Sequence, residues 1–153
     1  MPDTKGPLPP GSLIGIMGGG QLGRMLAIAA AQIGYRTHIF APEADGVAHE
    51  VASASTIAAY DDEMALNAFA NGCAVITYEF ENVPVDAVRY LQPHPACYPS
   101  AKVLSVAQDR VAEKSFAREL GVPVADFAEV RSEADLNAAL ASIGTPAILK
   151  TAT

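Results

Sequence analysis

The sequence is poor in cysteine and has no apolar run long enough to cross a membrane. Only two of its 153 residues are cysteines, and neither Cys73 nor Cys97 lies in a metal-ligand spacing, so a reduced, cytoplasmic protein is expected. The apolar runs fall well short of the roughly 18 residues that a membrane-spanning helix needs. The first twelve residues lack the layout of a signal peptide and predict a flexible leader over 1–12.

Positive charge is also scarce. The chain has 10 Lys and Arg against 17 Asp and Glu, a net charge of −7, and no basic cluster. This balance argues against nucleic acid as a partner, although a local positive pocket for a phosphate stays compatible with it. The chain contains no G-x-x-x-x-G-K-[ST] motif and no Ser/His/Asp arrangement. The scattered histidines are assigned no role; they are His38, His49 and His94.

The hydrophobic pattern is that of an α/β domain. The chain is 50% hydrophobic, which suits a packed core. Apolar runs at 13–17, 37–41 and 73–80 predict parallel strands, with the last as the clearest central strand. Between the first two strands, a helix that ends at Gly34 is predicted to bury one apolar face. That face consists of Leu22, Met25, Leu26, Ala29 and Ile33.

Turn and capping signals place the other elements. Short strands are predicted near 55–58, 96–99, 124–130 and 146–151. One helix is predicted to begin after Asp61, which serves as its cap, and another to run from Pro84 to about Leu91. Two further helices are predicted over 109–120 and after the capping-box segment SEAD at 132–135.

The glycine loop GGGQLG at 18–23 formally matches G-x-G-x-x-G. Gly18 and Gly20 permit positive φ and close approach of a ligand, Gly23 permits close helix packing, and the helix N-terminus offers N–H groups to an anion. A dinucleotide site also needs an acidic residue at the end of the second strand, where Glu43 comes only after a proline. The loop therefore fits NAD(P), another phosphate-bearing ligand or a structural turn.

Two carboxylates follow the strand at 73–80. Glu79 and Glu81 are two residues apart, so in an extended chain they face the same side. The carboxyl end of this strand lies at the same sheet edge as the glycine loop, so both should face one crevice. There the pair can hold ribose hydroxyls or an amine, or it is a solvated acidic loop.

Basic residues are isolated. Arg110 and Lys114 are i, i+4 neighbours beside Glu113, which is ordinarily a solvated helix face. Lys150 lies next to an apolar strand core, where an ammonium group needs an anionic partner unless it is exposed. It either meets a nucleotide phosphate or lies on an edge strand.

Four segments together resemble a known family. IGIMGGGQLGRMLAIAA, TYEFENVP, PSAKVLSVAQDRVAEKSFARELGVPVADF and PAILKT, in this order, are similar to the N-terminal part of the N5-carboxyaminoimidazole ribonucleotide synthetases. These are ATP-grasp ligases of de novo purine synthesis. The resemblance covers 13–153. It implies an α/β fold with a Rossmann-like, parallel-sheet pre-ATP-grasp domain over 13–100, followed over 101–153 by a linker helix and the truncated start of an ATP-grasp domain.

The resemblance also implies a reaction and its residues. ATP activates bicarbonate as carboxyphosphate, and the exocyclic amine of aminoimidazole ribonucleotide captures the carboxyl group, giving ADP and phosphate, with Mg²⁺ as cofactor and a homodimer when full length. Arg110 and Lys150 are implied to bind ATP, and Lys114 to be a surface residue. The implied substrate-binding residues are Gly20, Gln21, Leu22, Glu79, Glu81 and Asn82.

One departure from the family concerns the end of the sequence. It stops soon after Lys150, before the family's glycine-rich loop over the ATP phosphates. The catalytic residues are therefore expected beyond Thr153, no metal ligand is expected in this chain, and the chain alone is expected to be inactive. Three alternatives stay open: an NAD(P)-dependent oxidoreductase domain, a formate-dependent purine transformylase, and a non-catalytic nucleotide-sensing module.

Overall fold

The computed structural model describes residues 6–92 and 97–153. Its contacts divide the chain into a first unit, Met1–Leu104, and a second unit, Ser105–Thr153. In the described ranges, none of the helices has the length and hydropathy that crossing a bilayer requires.

The first unit is built on a parallel sheet of four strands in the order β3-β2-β1-β4. β1 pairs with β2 on one side and with β4 on the other, which places Ile16 opposite both Ile39 and Thr77. Ile16 and Ile39 are fully buried because the central strands are covered on both faces. The strands are β1 Leu13–Met17, β2 Arg36–Ala41, β3 Ala54–Ile57 and β4 Val75–Tyr78.

A strand forms within the segment predicted at 73–80, but it is shorter than predicted and is not central, because β4 stands at the end of the strand order. β4 has four residues and pairs with β1 on one side. In the described part of the chain, the only other residue that pairs with β4 is Cys97, through an isolated parallel bridge to Ile76. β4 ends because its ladder with β1 ends at Met17, whose carbonyl accepts the Glu79 N–H at 3.0 Å before the chain turns. Of the strand predicted at 96–99, residue 96 lies outside the described residues.

The first crossover helix is confirmed, but its predicted buried face is wrong. α1 spans Gln21–Gln32, and the turn after it contains Gly34 at φ +86°. The large side chains that were predicted to be buried are 41–70% exposed; they are Leu22, Met25, Leu26 and Ile33. The buried face of the helix consists of Gly23, Ala27 and Ala30. Small residues allow the helix backbone to approach the sheet closely, so the larger side chains point outward.

Two further helices cover the first unit. α2 spans Glu63–Gly72 and is capped by Asp62, not by the predicted Asp61, because the Asp62 carboxylate accepts the Ala65 N–H at 3.0 Å. α3 spans Val85–Leu91 and follows Pro84 as its cap. The larger core cluster contains Phe40, Leu66, Phe69, Ile76, Val88, Leu91 and Leu104.

Part of the predicted leader is hydrogen-bonded to the first unit. The Tyr35 hydroxyl donates to the Leu8 carbonyl at 2.8 Å, and the Gly11 N–H donates to the Gly34 carbonyl at 2.7 Å. Residues 1–5 lie outside the described residues. The segment just before β1 is therefore tied to the turn between α1 and β2.

Two helices of the second unit follow the prediction. α5 spans Arg110–Glu119, and the Asp109 carboxylate caps it by accepting two backbone N–H groups at 2.8 Å. α6 spans Glu133–Ile143, and the Ser132 hydroxyl accepts the Asp135 N–H at 3.2 Å. α4, Ala101–Ala107, was not predicted and runs across the division between the units.

The strands predicted at 124–130 and 146–151 are wrong. Both segments are irregular, because no described segment of the second unit supplies the ladder hydrogen bonds that a strand requires. Every described residue of this unit is exposed or half-buried. One aromatic ring, Phe127, lies under the cationic groups of Lys114 and Arg118, 5.4 and 4.6 Å from the ring centroid.

Candidate functional site

A pocket of about 570 Å³ opens at the carboxyl edge of the sheet. Ligands of open parallel sheets bind at this edge. Loops after β1, β2, β3 and β4 all contribute to it, so the glycine loop and Glu79 do face one crevice. The lining residues are Gly18, Gly19, Gly20, Glu43, Asp45, Gly46, Tyr60, Glu79, Phe80 and Asn82.

The Glu79 carboxylate lies within the glycine loop. One of its oxygens accepts the Gly20 N–H at 2.9 Å, and the other accepts the Gly23 N–H. Helix α1 has no side-chain cap of its own and no acidic residue in its first turn. Glu79, 59 residues further along the chain than Gly20, therefore supplies the negative charge that the helix N-terminus favours.

All three glycines of the motif are packed against this carboxylate. A Cβ at Gly20 would lie 3.0 Å from Glu79 Oε1, and a Cβ at Gly23 would lie 2.7 Å from Glu79 Oε2. A Cβ at Gly18 would collide with Glu79 Cγ, and Gly18 also has φ +115°. Gly20 has φ −84° and so does not use the positive φ that glycine permits; its lack of a side chain makes room for the Glu79 carboxylate instead.

The pocket is acidic. Its described lining includes the carboxylates Glu43, Asp45 and Glu79 and no Lys, Arg or His. Burial, with Glu43 and Glu79 nearby, raises the pKa of Tyr60 well above its ordinary 10.0, so the hydroxyl keeps its proton. The pocket therefore suits a ligand group that carries N–H or O–H donors and repels a phosphate.

The apparent lack of an acidic residue after the second strand is corrected by the structure. Glu43 follows β2 and lines the pocket despite the intervening Pro42. Sequence reasoning also missed Tyr60 and Asp45, which the rule that loops at the carboxyl edge meet at one site would have found. The case against a dinucleotide therefore rests on Glu79 inside the loop, not on a missing carboxylate.

The other predicted substrate residues are divided by the structure. Asn82 lines the pocket, whereas Glu81 is exposed and outside the lining, as are Gln21 and Leu22 in the first turn of α1. The prediction that Glu79 and Glu81 share one side of an extended chain is wrong, because the chain turns after Tyr78.

Two histidines have defined surroundings. His49 Nε2 lies 3.0 Å from the Glu43 carbonyl, and His49 Nδ1 is buried without a hydrogen-bond partner. His38 Nε2 lies 2.8 Å from the Thr56 hydroxyl, and burial lowers the pKa of this ring. His94 lies outside the described residues. His49 therefore contacts the loop that contains Glu43, next to the pocket.

The two basic residues implied to bind ATP lie in the second unit, and both are exposed. The Arg110 N–H donates to the Ala152 carbonyl at 2.8 Å, which brings the segment containing Lys150 to the start of α5. In residues 6–92 and 97–153, no group of three His, Cys, Asp or Glu could hold a metal ion.

An open parallel sheet with a glycine turn and a pocket at its carboxyl edge defines a Rossmann-like α/β domain. Residues 12–108 match the family described as the ribonucleotide synthetase preATP-grasp domain. The chain belongs to this family.

Relatives carry the similarity through most of the chain. The N5-carboxyaminoimidazole ribonucleotide synthase of Brucella melitensis is 49% identical over 95% of the chain, which spans 40% of that protein. The bifunctional purine synthesis protein purC/E of Dictyostelium discoideum is 53% identical over 95% of the chain and 15% of that protein. The chain thus spans two fifths or less of these curated relatives.

Solved structures agree with the fold. The N5-carboxyaminoimidazole ribonucleotide synthetase of Thermus thermophilus has a TM-score of 0.83 at 47% identity, over 91% of this chain and 38% of that one. The Staphylococcus aureus N5-carboxyaminoimidazole synthetase complexed with ADP has a TM-score of 0.84 at 37% identity, over 95% of this chain and 40% of that one.

Proposed function

We propose that the chain is the ribonucleotide-binding part of an ATP-dependent ligase that carboxylates aminoimidazole ribonucleotide in purine synthesis. The observation that carries the proposal is the acidic pocket around Glu79 at the sheet edge, in a domain of the ribonucleotide synthetase family. The names of the Brucella and Thermus relatives supply the substrate.

In this proposal the first unit binds and orients the base and ribose of the ribonucleotide, whose N–H and O–H groups suit the carboxylates of the pocket, and the phosphate group lies away from these carboxylates. Glu79 is held by two backbone N–H groups, so its remaining lone pairs are available to accept hydrogen bonds from a ligand. Asn82 and the protonated Tyr60 hydroxyl offer both donors and acceptors. Such fixed groups restrict the position of the substrate amine, and positioning is a large part of catalysis when two reactants must meet.

The activated carboxyl group comes from the nucleotide side of the reaction. Bicarbonate oxygen attacks the γ-phosphorus of ATP and releases ADP, and the substrate amine then attacks the carbon of carboxyphosphate and releases phosphate. Arg110 and Lys150 are proposed to bind ATP, in keeping with the ADP complex named for the S. aureus relative. No step through magnesium is assigned to this chain, since its described residues include no group of three His, Cys, Asp or Glu that could hold a metal ion. A homodimer, a cytoplasmic location and an ATP-grasp beginning in 101–153 belong to the same proposal.

Binding of aminoimidazole ribonucleotide to the chain tests the proposal. In an amide NMR titration, we expect shifts at Gly20, Glu79 and Asn82 that saturate with the ligand. Glu79→Gln should weaken binding by roughly tenfold, since a hydrogen bond to a charged group contributes about 1.5–3 kcal/mol. Glu129→Gln, a carboxylate in the second unit that pairs with Arg131, serves as the matched control and should bind like the wild type.

Two outcomes would reject this assignment. A saturable titration with NAD, with no response to the ribonucleotide, would favour the oxidoreductase alternative. No response to either ligand by the folded chain would favour the non-catalytic module. A chimera in which this chain replaces the matching part of the Brucella relative separates the ligase from a transformylase. Its activity is measured with bicarbonate and with formate, and activity with formate alone would favour the transformylase.

A further inference from the structure

The N-terminus of helix α1 is already occupied by a carboxylate of the chain itself. In dinucleotide-binding domains, the glycine loop leaves the backbone N–H groups of this helix end free for a pyrophosphate. Here the Gly20 and Gly23 N–H groups both donate to Glu79. These two N–H groups are therefore not available to a phosphate.

The space that a phosphate would use is taken as well. Glu79 atoms are among the nearest neighbours of a Cβ built at Gly18, at Gly20 or at Gly23. The three positions that define G-x-G-x-x-G therefore lack side chains because the Glu79 side chain passes between them. In this chain the motif accommodates an internal anion.

The charge of the surrounding pocket acts in the same direction. Glu43 and Asp45 line the pocket with Glu79, and the described lining contains no cationic side chain. A nearby histidine, His49, lies behind Gly19 with its Nε2 directed to a backbone carbonyl. A phosphate in this pocket would therefore share it with three carboxylates.

We infer that Glu79 is a specificity-determining residue: as an internal anion at the N-terminus of α1, it excludes phosphate groups and dinucleotides from the glycine loop. This goes beyond the proposed function, because it concerns which ligands the loop rejects and holds for any substrate of the pocket. Removing the carboxylate should convert the loop into a phosphate-binding turn.

Inorganic pyrophosphate is the probe. In amide NMR titrations of the 153-residue chain, pyrophosphate should leave the Gly20 and Gly23 resonances of the wild type unmoved. In Glu79→Ala the same resonances should shift and saturate, with binding at least about tenfold tighter than in the wild type, as expected for an anion at an open helix N-terminus. Asp45→Asn removes one charge from the same pocket while leaving Glu79 in place, and it should behave like the wild type.

Several results would overturn the inference. Saturable shifts at Gly20 and Gly23 in the wild type would show that Glu79 does not exclude the anion. An equal gain in Asp45→Asn and Glu79→Ala would assign the effect to overall pocket charge. Glu79→Ser covers the case in which the alanine variant does not fold, because it keeps a short side chain with a hydroxyl group while it also removes the carboxylate from the space between the glycines. If that variant also binds pyrophosphate no better than the wild type, the inference is wrong.

This experiment is independent of the proposed function. It uses neither the ribonucleotide nor ATP, so failure to bind the ribonucleotide leaves the pyrophosphate result intact. Conversely, a wild-type loop that binds pyrophosphate would remove the inference while leaving the ribonucleotide titration to be judged separately.

Discussion

At the scale of single residues, both cysteines of the chain are buried thiols. Cys73 is 8% exposed and Cys97 is 5% exposed, and the Cys73 thiol donates to the Phe69 carbonyl at 3.2 Å. Burial raises the pKa of Cys73 to about 12 and that of Cys97 to about 11, from an ordinary 9.0. Since the thiolate is the nucleophile, neither residue should be reactive in the folded chain.

Thiol modification as a function of pH checks this expectation. At about pH 8, a thiol-reactive dye should label Cys73 and Cys97 at least tenfold more slowly in the native chain than in denaturant. The thiols ionise near their ordinary pKa of 9.0 in the unfolded chain and at a higher pH in the folded chain. The free energy of unfolding is therefore unaffected by them below about pH 9, and it falls as the pH rises from there through about 11 for Cys97 and about 12 for Cys73. Equal labelling rates in the native and denatured chain would contradict the burial of both side chains.

The residue scale also separates what could be anticipated about the site from what could not. The sequence identifies Glu79 as a candidate site residue, because it follows a predicted strand at the edge where the glycine loop also lies. Its hydrogen bonds to Gly20 and Gly23 could not be anticipated, because they join residues almost 60 positions apart. Tyr60 carries no motif of its own, and only its position after the short strand predicted near 55–58 indicates that it lies at the same edge.

At the scale of secondary-structure elements, helix α1 buries a different face from the one that its apolar pattern predicts. Both faces of this helix are apolar, because Arg24 is the only charged residue in its 12 residues. Hydrophobic periodicity therefore does not distinguish them. Close packing does, since Gly23, Ala27 and Ala30 let the helix approach β1 and β2, while Met25 is 58% exposed.

A pair of substitutions in α1 tests this orientation. Ala27→Gln introduces a long side chain at a position that is 1% exposed, and it should lower the free energy of unfolding by about 1–3 kcal/mol. Met25→Gln changes a position that is 58% exposed, and it should change that free energy by no more than about 0.5 kcal/mol. Urea unfolding measures both.

The matched pair makes the test decisive. Gln is a good helix former, so helix propensity contributes little to either variant. If Met25→Gln proves to be the more damaging substitution, the face predicted from periodicity, and not the small-residue face, packs on the sheet.

At the scale of the whole molecule, the two units differ in how much they bury. The first unit has a core that includes Ile16, Phe40 and Phe69, all at most 1% exposed. The second unit, Ser105–Thr153, has no buried residue, although all of it is described, and its helices α5 and α6 have 10 and 11 residues. Helices this short are marginal in water without tertiary packing.

Native-state hydrogen exchange should show this difference. Amides of β1 and β2 are expected to exchange at least about a hundredfold more slowly than those of α5 and α6, because local opening requires little free energy where little apolar surface is buried. The amides of α2, which buries Leu66 and Phe69, provide the internal control and should be protected like the strands. Equal protection in both units would contradict the burial pattern.

Three features can be predicted from the amino-acid sequence alone: the order of most elements in the first unit, the parallel sheet, and the position of the glycine loop and Glu79 at one edge. These follow from local patterns of apolar residues, glycines and caps. Other features are apparent only in the tertiary structure. These are the buried face of α1, the position of β4 at one end of the strand order, and the lack of strands in segments 124–130 and 146–151. The tertiary structure also decided what fills the glycine loop. The reason is physical: helix packing, ladder pairing and the contact of Glu79 with Gly20 depend on groups far apart in the chain, which no local pattern encodes.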